Sequence, residues 1–250
     1  MKTALVRRPG PRLAEGLVTH LARSQIDIDL ARRQWDRYVE AFIDHGWEVV
    51  EVDPADDCPD AVFVEDTVVV FGDLAVITRP GAETRKSEVE GTERAVRPLL
   101  ARVTRLEEPA CLDGGDVLKV GSKVYVGLSH RTNREAVDQL GTLLGDRNVV
   151  GVPVTKVLHL KSAVTALPDG TVIGYGPLVD DPSVFDTFLE VPEESGSAVV
   201  DLGDGVVLMA ADRPRSTEMV RKRGYEVVPV DISEFQKLEG CVTCLSVRLR

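Results

Sequence analysis

Thr67-Val68-Val69-Val70-Phe71-Gly72-Asp73-Leu74-Ala75-Val76-Ile77-Thr78 is two runs of β-formers hinged on a Gly-Asp pair. Glycine and aspartate tolerate the positive φ that a two-residue hairpin turn demands, so the stretch predicts a tight β-hairpin. The pattern returns three times. Residues 117–120 and 123–128 flank Gly121-Ser122, residues 163–167 and 171–175 flank Pro168-Asp169-Gly170, and residues 198–202 and 206–210 flank Gly203-Asp204-Gly205. The first three turns lie about 48 residues apart and the last two about 35, within reach of a blade-like repeat.

Helical patterns separate the hairpins. Residues 29–45 carry Leu30, Trp35, Tyr38, Val39 and Phe42 at helical spacing, with Gly46 as a stop. Residues 88–100, 133–144 and 216–222 read similarly, and residues 183–189 predict a shorter helix. Several helices lead into one more strand, over residues 47–52, 103–106, 148–154 and 225–230. Two of these are close copies: Gly46-Trp47-Glu48-Val49-Val50-Glu51-Val52-Asp53 and Gly224-Tyr225-Glu226-Val227-Val228-Pro229-Val230-Asp231. A fifth unit is visible only in halves. Residues 244–250 give one strand, and residues 2–7 give its partner if the termini meet, which would cover the last exposed edge. An open α/β sheet of alternating strands and helices is the competing architecture. Hairpins between helices suit a closed set of repeated blades better. No low-complexity linker divides the chain, so residues 1–250 are read as one domain.

A chain of 250 residues with 43% hydrophobic content buries a sizeable core and is not disordered. Its net charge of −11, with no basic block, disfavours nucleic-acid binding; a small cationic substrate would suit this field, but charge alone reads more simply as that of an ordinary acidic protein. No apolar run is long enough to span a bilayer, and the first residues lack the apolar stretch of a secretion signal, so the cytoplasm is the expected compartment. A homo-oligomer is compatible with the sequence. The four cysteines, Cys58, Cys111, Cys241 and Cys244, do not form a disulfide framework. Cys241 and Cys244 make a C-x-x-C pair, but no second pair completes a zinc site, and a redox pair usually sits where a strand enters a helix. Neither metal nor cofactor is expected, and Cys241 reads as a buried, inert thiol.

The segments leading into the hairpins carry an uneven set of groups. Asp60, Glu65 and Asp66 precede the first, Asp113 and Asp116 the second, and His159 the third, while Cys244 begins the last strand-like run. If the units pack around an axis, these groups converge there. Thiol and imidazole supply a nucleophile and a proton carrier, the minimum for covalent hydrolysis. The acids of Pro59-Asp60-Ala61-Val62-Phe63-Val64-Glu65-Asp66 interrupt an otherwise apolar stretch, where a solvated charge run is not expected. Buried carboxylates need partners, and a fork-shaped guanidinium ligand is a fitting one. A plain turn accounts equally well for the Gly-Gly pair of Leu112-Asp113-Gly114-Gly115-Asp116.

At these residues the chain resembles the dimethylarginine dimethylaminohydrolases, within the guanidino-group-modifying superfamily. The matching stretches include Leu30-Ala31-Arg32-Arg33-Gln34, residues 59–66, Ile77-Thr78-Arg79-Pro80-Gly81-Ala82, residues 112–118, residues 126–133, Leu158-His159-Leu160-Lys161-Ser162 and Thr243-Cys244, in order along nearly the whole chain. The resemblance implies an α/β fold: a five-bladed pseudo-symmetric propeller (the pentein fold), in agreement with the repeat count. It implies Cys244 as nucleophile, His159 as general acid and base, and Asp113 as the acid that orients His159, with Asp116 structural. It further implies that Asp60, Glu65 and Asp66 surround the charged end of the substrate. Arg85 and Arg131 would hold its α-carboxylate, Leu17 would lie in a lid, and Leu238 would touch substrate through its backbone.

The implied reaction is hydrolysis of a methylated arginine to citrulline and an amine through a cysteine-linked thiouronium. Arginine deiminases on the same fold resemble a His-x-Asp pattern whose aspartate binds an unsubstituted guanidinium nitrogen. Lys161 stands at that position, which leaves no unpaired carboxylate facing a methylated nitrogen. Amidinotransferases, which need a second amine, and a catalytically silent guanidino-binding protein remain as alternatives.

Overall fold

The chain is described from a computed structural model covering residues 2–250, with fifteen short strands in five three-stranded sheets among the described residues. In chain order the elements are β1 (Thr3–Val6), α1 (Ile28–Asp44), β2 (Glu48–Glu51), β3 (Val68–Phe71), β4 (Leu74–Ile77), α2 (Val89–Val96) and β5 (Arg102–Arg105). There follow β6 (Val117–Val120), β7 (Lys123–Leu128), α3 (Arg134–Leu144), β8 (Asn148–Pro153), α4 (Leu160–Ala163), β9 (Val164–Ala166), β10 (Val172–Gly174) and β11 (Phe188–Glu190). The chain ends with β12 (Val199–Gly203), β13 (Val206–Ala210), α5 (Pro214–Lys222), β14 (Glu226–Val230), α6 (Ser233–Gln236) and β15 (Val247–Leu249).

Every sheet has one plan: an antiparallel strand pair, a hairpin in four of the five, one strand of which pairs in parallel with a third. A parallel return requires a crossover of a dozen or so residues, which α1, α2, α3 and α5 supply in four blades. The tight turns of the β3–β4 and β6–β7 hairpins rest on Gly72 and Gly121 at φ 61° and 57°. The fifth blade is built from both ends of the chain. β15 pairs antiparallel with β1, with Thr3 opposite Leu249 and Leu5 opposite Val247, and β1 pairs in parallel with β2. The two half-units expected from the sequence thus meet and complete a five-bladed propeller.

One expected helix is absent. Over residues 183–189 the chain makes a single 3₁₀ turn, Pro182–Val184, and then β11. The Asp181 carboxylate accepts the Ser183 N–H at 2.9 Å and Pro182 starts the turn, so local polar chemistry favours a bend. Phe185 is buried, Phe188 stacks on it with centroids 6.1 Å apart, and β11 gains a parallel partner in β10. Tertiary pairing overrides the helical pattern.

The core is divided among the blades. Its largest cluster joins α1 to the C-terminal segment through Trp35, Tyr38, Phe42 and Trp47, with Phe235, Val242 and Leu245. α1 begins where Asp27 caps the Leu30 N–H. Its apolar stripe faces inward, and each large side chain buried there contributes roughly 1.5–3 kcal/mol. Tyr38 is fully buried; its hydroxyl donates to the Val242 carbonyl at 2.7 Å and meets Ser246 Oγ at 2.7 Å. These bonds lie on either side of Cys244 and tie the last turn of the chain to α1. The first hairpin strands β3, β6, β9, β12 and β15 line a central channel of about 410 Å³.

Candidate active site

Four inner strands deliver the polar groups, each from the segment before its N-terminal end. The 3₁₀ turn Val64–Thr67 precedes β3, Asp113 leads the 3₁₀ turn Gly114–Asp116 into β6, His159 leads α4 into β9, and Cys244 sits in the turn before β15. The convergence expected from the repeat is therefore present at one end of the channel.

His159 is the hub. Its Nε2 bonds the Asp113 carboxylate at 2.9 Å, and its Nδ1 stands 4.0 Å from Asp66. Asp113 is fixed in turn by the Gly81 N–H at 2.9 Å and by Arg131 Nη1 at 3.4 Å. Burial opposes a charged imidazole, but Asp66, Asp113 and Asp116 outweigh it and raise His159 to about 9, so it is protonated at neutral pH. Burial likewise resists ionisation of Asp66, and the cations of His159 and Arg85 reverse that and hold it low. Asp116 accepts from Ser129 and Thr132 at 2.6 Å and from the Leu160 N–H at 2.8 Å. It thereby locks the backbone beside His159, and burial raises it to about 6.

Gly115 allows this crowding. A Cβ at that position would stand 2.7 Å from both Asp66 Oδ1 and His159 Nδ1, and its N–H donates to Asp66 at 2.7 Å. The neighbouring Gly114 would drive its Cβ into the Glu65 carbonyl. The Gly-Gly pair is thus required for close approach as well as for turning.

Cys244 lies in a turn closed by its own N–H to the Cys241 carbonyl at 3.1 Å. Its sulfur accepts the Cys241 N–H at 3.4 Å and meets Cys241 Sγ at 3.3 Å. Contact with Cys241 is the main influence raising the Cys244 thiol, reinforced by burial and by Glu65 and Asp66. These influences oppose ionisation of the Cys244 thiol, which lines the same pocket as His159.

Cys244, His159, Asp60, Asp66, Arg85, Arg131, Leu17 and Leu238 share the wall of one pocket, with Asp113 directly behind His159. The pocket is nearly closed: about 20 Å³, room for about one water molecule. Asp60 holds it shut by accepting the Leu17 N–H at 3.0 Å. Arg85 is fully buried, bridging Asp66 at 2.6 Å and Glu88 at 2.8 Å and donating to the Asp60 and Phe63 carbonyls. Glu65 alone among the expected site residues lies elsewhere. Its carboxylate meets Lys161 at 2.7 Å, Arg248 at 2.8 Å and Thr243 Oγ1 at 2.9 Å, and it lines the channel behind the pocket. Phe63, Leu158, Glu239 and Gly240 also line the pocket and were not expected from the sequence. Glu239 has φ 62°, and its Oε1 receives the N–H groups of Thr19, His20 and Leu21, fastening the loop that carries Leu17. A glutamate before a glycine carries no signal of that role.

Asp66, Asp113 and His159 are the one set of three possible metal donors among the described residues, within 4.8 Å of one another. Arg85, the Gly115 N–H, the Gly81 N–H and the His159–Asp113 bond already engage them, so they read as a proton-bearing network. No helix is long and apolar enough to cross a membrane among the described residues.

The arginine deiminase family model matches residues 44–189. The chain is 64% identical to the N(G),N(G)-dimethylarginine dimethylaminohydrolase of Streptomyces coelicolor, over 100% of this chain and 97% of that protein. It is 35% identical to the enzyme of that name from Pseudomonas aeruginosa, over 99% of each. Among solved structures, a cysteine-to-serine variant of the Pseudomonas aeruginosa protein complexed with citrulline superposes with a TM-score of 0.91 at 33% identity, covering 99% of this chain and 98% of that one.

Proposed function

The chain belongs to the dimethylarginine dimethylaminohydrolase family, and from that membership we propose that its acid-walled pocket hydrolyses Nω-methylated arginine. The products are citrulline and dimethylamine, or methylamine from the monomethylated substrate. The observation that carries this reading is a buried His159–Asp113 bond of 2.9 Å in the same pocket as Cys244, with Asp60 and Asp66 beside it. A small cation entering that pocket meets carboxylates in a nearly dry site, where their pull is strong.

In the proposed mechanism the Cys244 thiol loses its proton to solvent as the guanidinium binds, and the thiolate Sγ attacks the guanidinium carbon. His159 protonates the departing amine, and an S-alkylthiouronium remains on the thiol. His159 then takes a proton from water, whose oxygen adds to the same carbon, and the C–S bond breaks to release citrulline. Asp113 orients the imidazole and stabilises its charged form. Asp60 and Asp66 hold the cation so that its carbon faces sulfur, a positioning effect. Lys161 is engaged with Glu65 and lines the channel, so no carboxylate at that position awaits an unsubstituted nitrogen. That favours a methylated substrate over arginine. The deciding measurement is citrulline release from dimethylarginine and from arginine, with the amine product identified. Dimethylamine at the higher kcat/KM is the expected result, and ammonia from arginine at the higher kcat/KM moves the assignment to a deiminase.

The raised Cys244 thiol gives the substrate a part in its own activation. Nearby acids oppose the thiolate, and a bound guanidinium opposes the acids. Iodoacetamide inactivation followed against pH should show a lower apparent thiol pKa when a non-reacting guanidinium ligand is present. An unchanged value removes substrate-assisted ionisation from the mechanism.

A further inference from the structure

The C-x-x-C pair has a geometry that the hydrolytic reaction leaves unused. Cys241 Sγ and Cys244 Sγ are 3.3 Å apart, both cysteines are free, and both are more than nine-tenths buried. The Cys244 N–H to Cys241 carbonyl bond of 3.1 Å closes a four-residue turn. Such a turn brings its end Cα atoms within roughly 7 Å, overlapping the roughly 4.4–6.8 Å over which disulfides form. Closing the sulfurs to a bond of about 2.05 Å requires side-chain rotation and no refolding. The remaining thiols have other neighbours: Cys58 meets Ser87 at 3.3 Å and Cys111 meets Arg79 at 3.3 Å.

We propose that Cys241 is a resolving thiol and that a small hydroperoxide converts Cys241 and Cys244 into a reversible disulfide that switches the enzyme off. Cys244 sulfur attacks the O–O bond and takes one oxygen as a sulfenic acid, while the other leaves as hydroxide and takes up the thiol proton to become water. Cys241 sulfur then attacks Cys244 sulfur; the S–S bond forms, the S–O bond breaks, and hydroxide leaves with the Cys241 proton as a second water. Two thiols and one hydrogen peroxide thus give one disulfide and two waters, the pair losing two electrons to the peroxide. Even in its closed state the pocket of about 20 Å³ has room for a molecule near the size of water, such as hydrogen peroxide. Locked to Cys241, the nucleophile cannot attack a guanidinium carbon, yet it is protected from oxidation to the irreversible sulfinic and sulfonic acids.

The inference concerns the nucleophile of the proposed hydrolysis, but its primary readout is mass and needs no turnover. The full chain is treated with hydrogen peroxide, alkylated with iodoacetamide and digested with trypsin without reduction. Peptide 238–248 contains Cys241 and Cys244 and neither other cysteine. In the wild type this peptide should be lighter by about 2 Da and unalkylated, and dithiothreitol should reverse both the mass change and the loss of citrulline formation. In Cys241→Ser, Cys244 should instead gain two or three oxygens, with at least about tenfold less activity recovered on reduction. Wild-type peptide that carries added oxygen and no 2 Da loss overturns the proposal, as does a Cys241→Ser protein that recovers as fully as wild type. If the mass change appears in a protein that never releases citrulline, the disulfide stands and the hydrolytic reading falls.

Discussion

Cys244→Ser should lower kcat/KM for dimethylarginine by at least about 10⁴-fold while leaving the affinity for a guanidinium ligand within about threefold. Serine keeps the position in the turn, and its oxygen accepts the Cys241 N–H that the sulfur accepts now. What it lacks is accessible ionisation. His159 is raised to about 9 and already carries its proton at neutral pH, so no strong base stands ready to take a hydroxyl proton. A thiol overcomes this because it ionises far more readily once the guanidinium offsets Asp66 and Glu65. Asp60 and Asp66, the acids proposed to hold the cation, are untouched by the change, which is why binding should survive. Steady-state citrulline release and calorimetric titration of the variant separate the two effects. Activity within tenfold of wild type removes Cys244 as nucleophile, and affinity lost in parallel with turnover means that the serine has disturbed the pocket.

The hairpins and the family of polar groups before them were legible because turn chemistry and β-branched runs are local signals. The β15–β1 closure was readable as two unmatched half-units. Side-chain direction inside the irregular segments was not. Glu65 and Asp66 are adjacent in sequence, but the 3₁₀ turn Val64–Thr67 rotates successive residues by about 120°. Asp66 consequently faces His159 and Glu65 faces Lys161 and Arg248 across the wall. No periodicity in the sequence announces a turn of that hand at that point. β11 was hidden for a different reason: its pairing with β10 and the Phe185–Phe188 stack are tertiary. The closeness of Cys241 and Cys244 depends on the turn closed between them, and C-x-x-C spacing also fits sulfurs that point apart.

Arg85→Met should destabilise the fold by about 3–5 kcal/mol at pH 7, because it leaves the buried Glu88 carboxylate without its paired cation and Asp66 with His159 alone. Asp66 loses a bond of 2.6 Å and Glu88 one of 2.8 Å, and the Asp60 and Phe63 carbonyls lose their donor. For a chain of this length that corresponds to a fall in Tm of roughly 6–20 °C. The sign of the pH dependence follows from Asp66. Its carboxyl is held low in the folded protein, so its paired form contributes stability above the unfolded carboxyl pKa of about 3.9 and loses it as pH falls through the lower folded value. Without Arg85 its pKa rises and Glu88, already raised by burial, rises further, so both take up protons before the wild type does. The penalty is therefore largest at neutral pH and shrinks on acidification, as neutral carboxyls replace unpaired charges. Thermal unfolding of both proteins from pH 4 to pH 8 checks this, and adding Glu88→Gln to the variant should restore part of the loss. A Tm within about 2 °C of wild type at pH 7, or a penalty that does not change with pH, removes Arg85 as the structural counter-charge. A lysine substitute should recover little, since one ammonium cannot reproduce the fork that spans Asp66 and Glu88. That engagement also bounds what Arg85 offers a substrate: Nη1 makes one bond, to Asp66, so a single N–H there is left to reach a bound carboxylate. Arg131, only partly enclosed and 3.4 Å from Asp113, has the freer guanidinium and should carry the larger share of that contact.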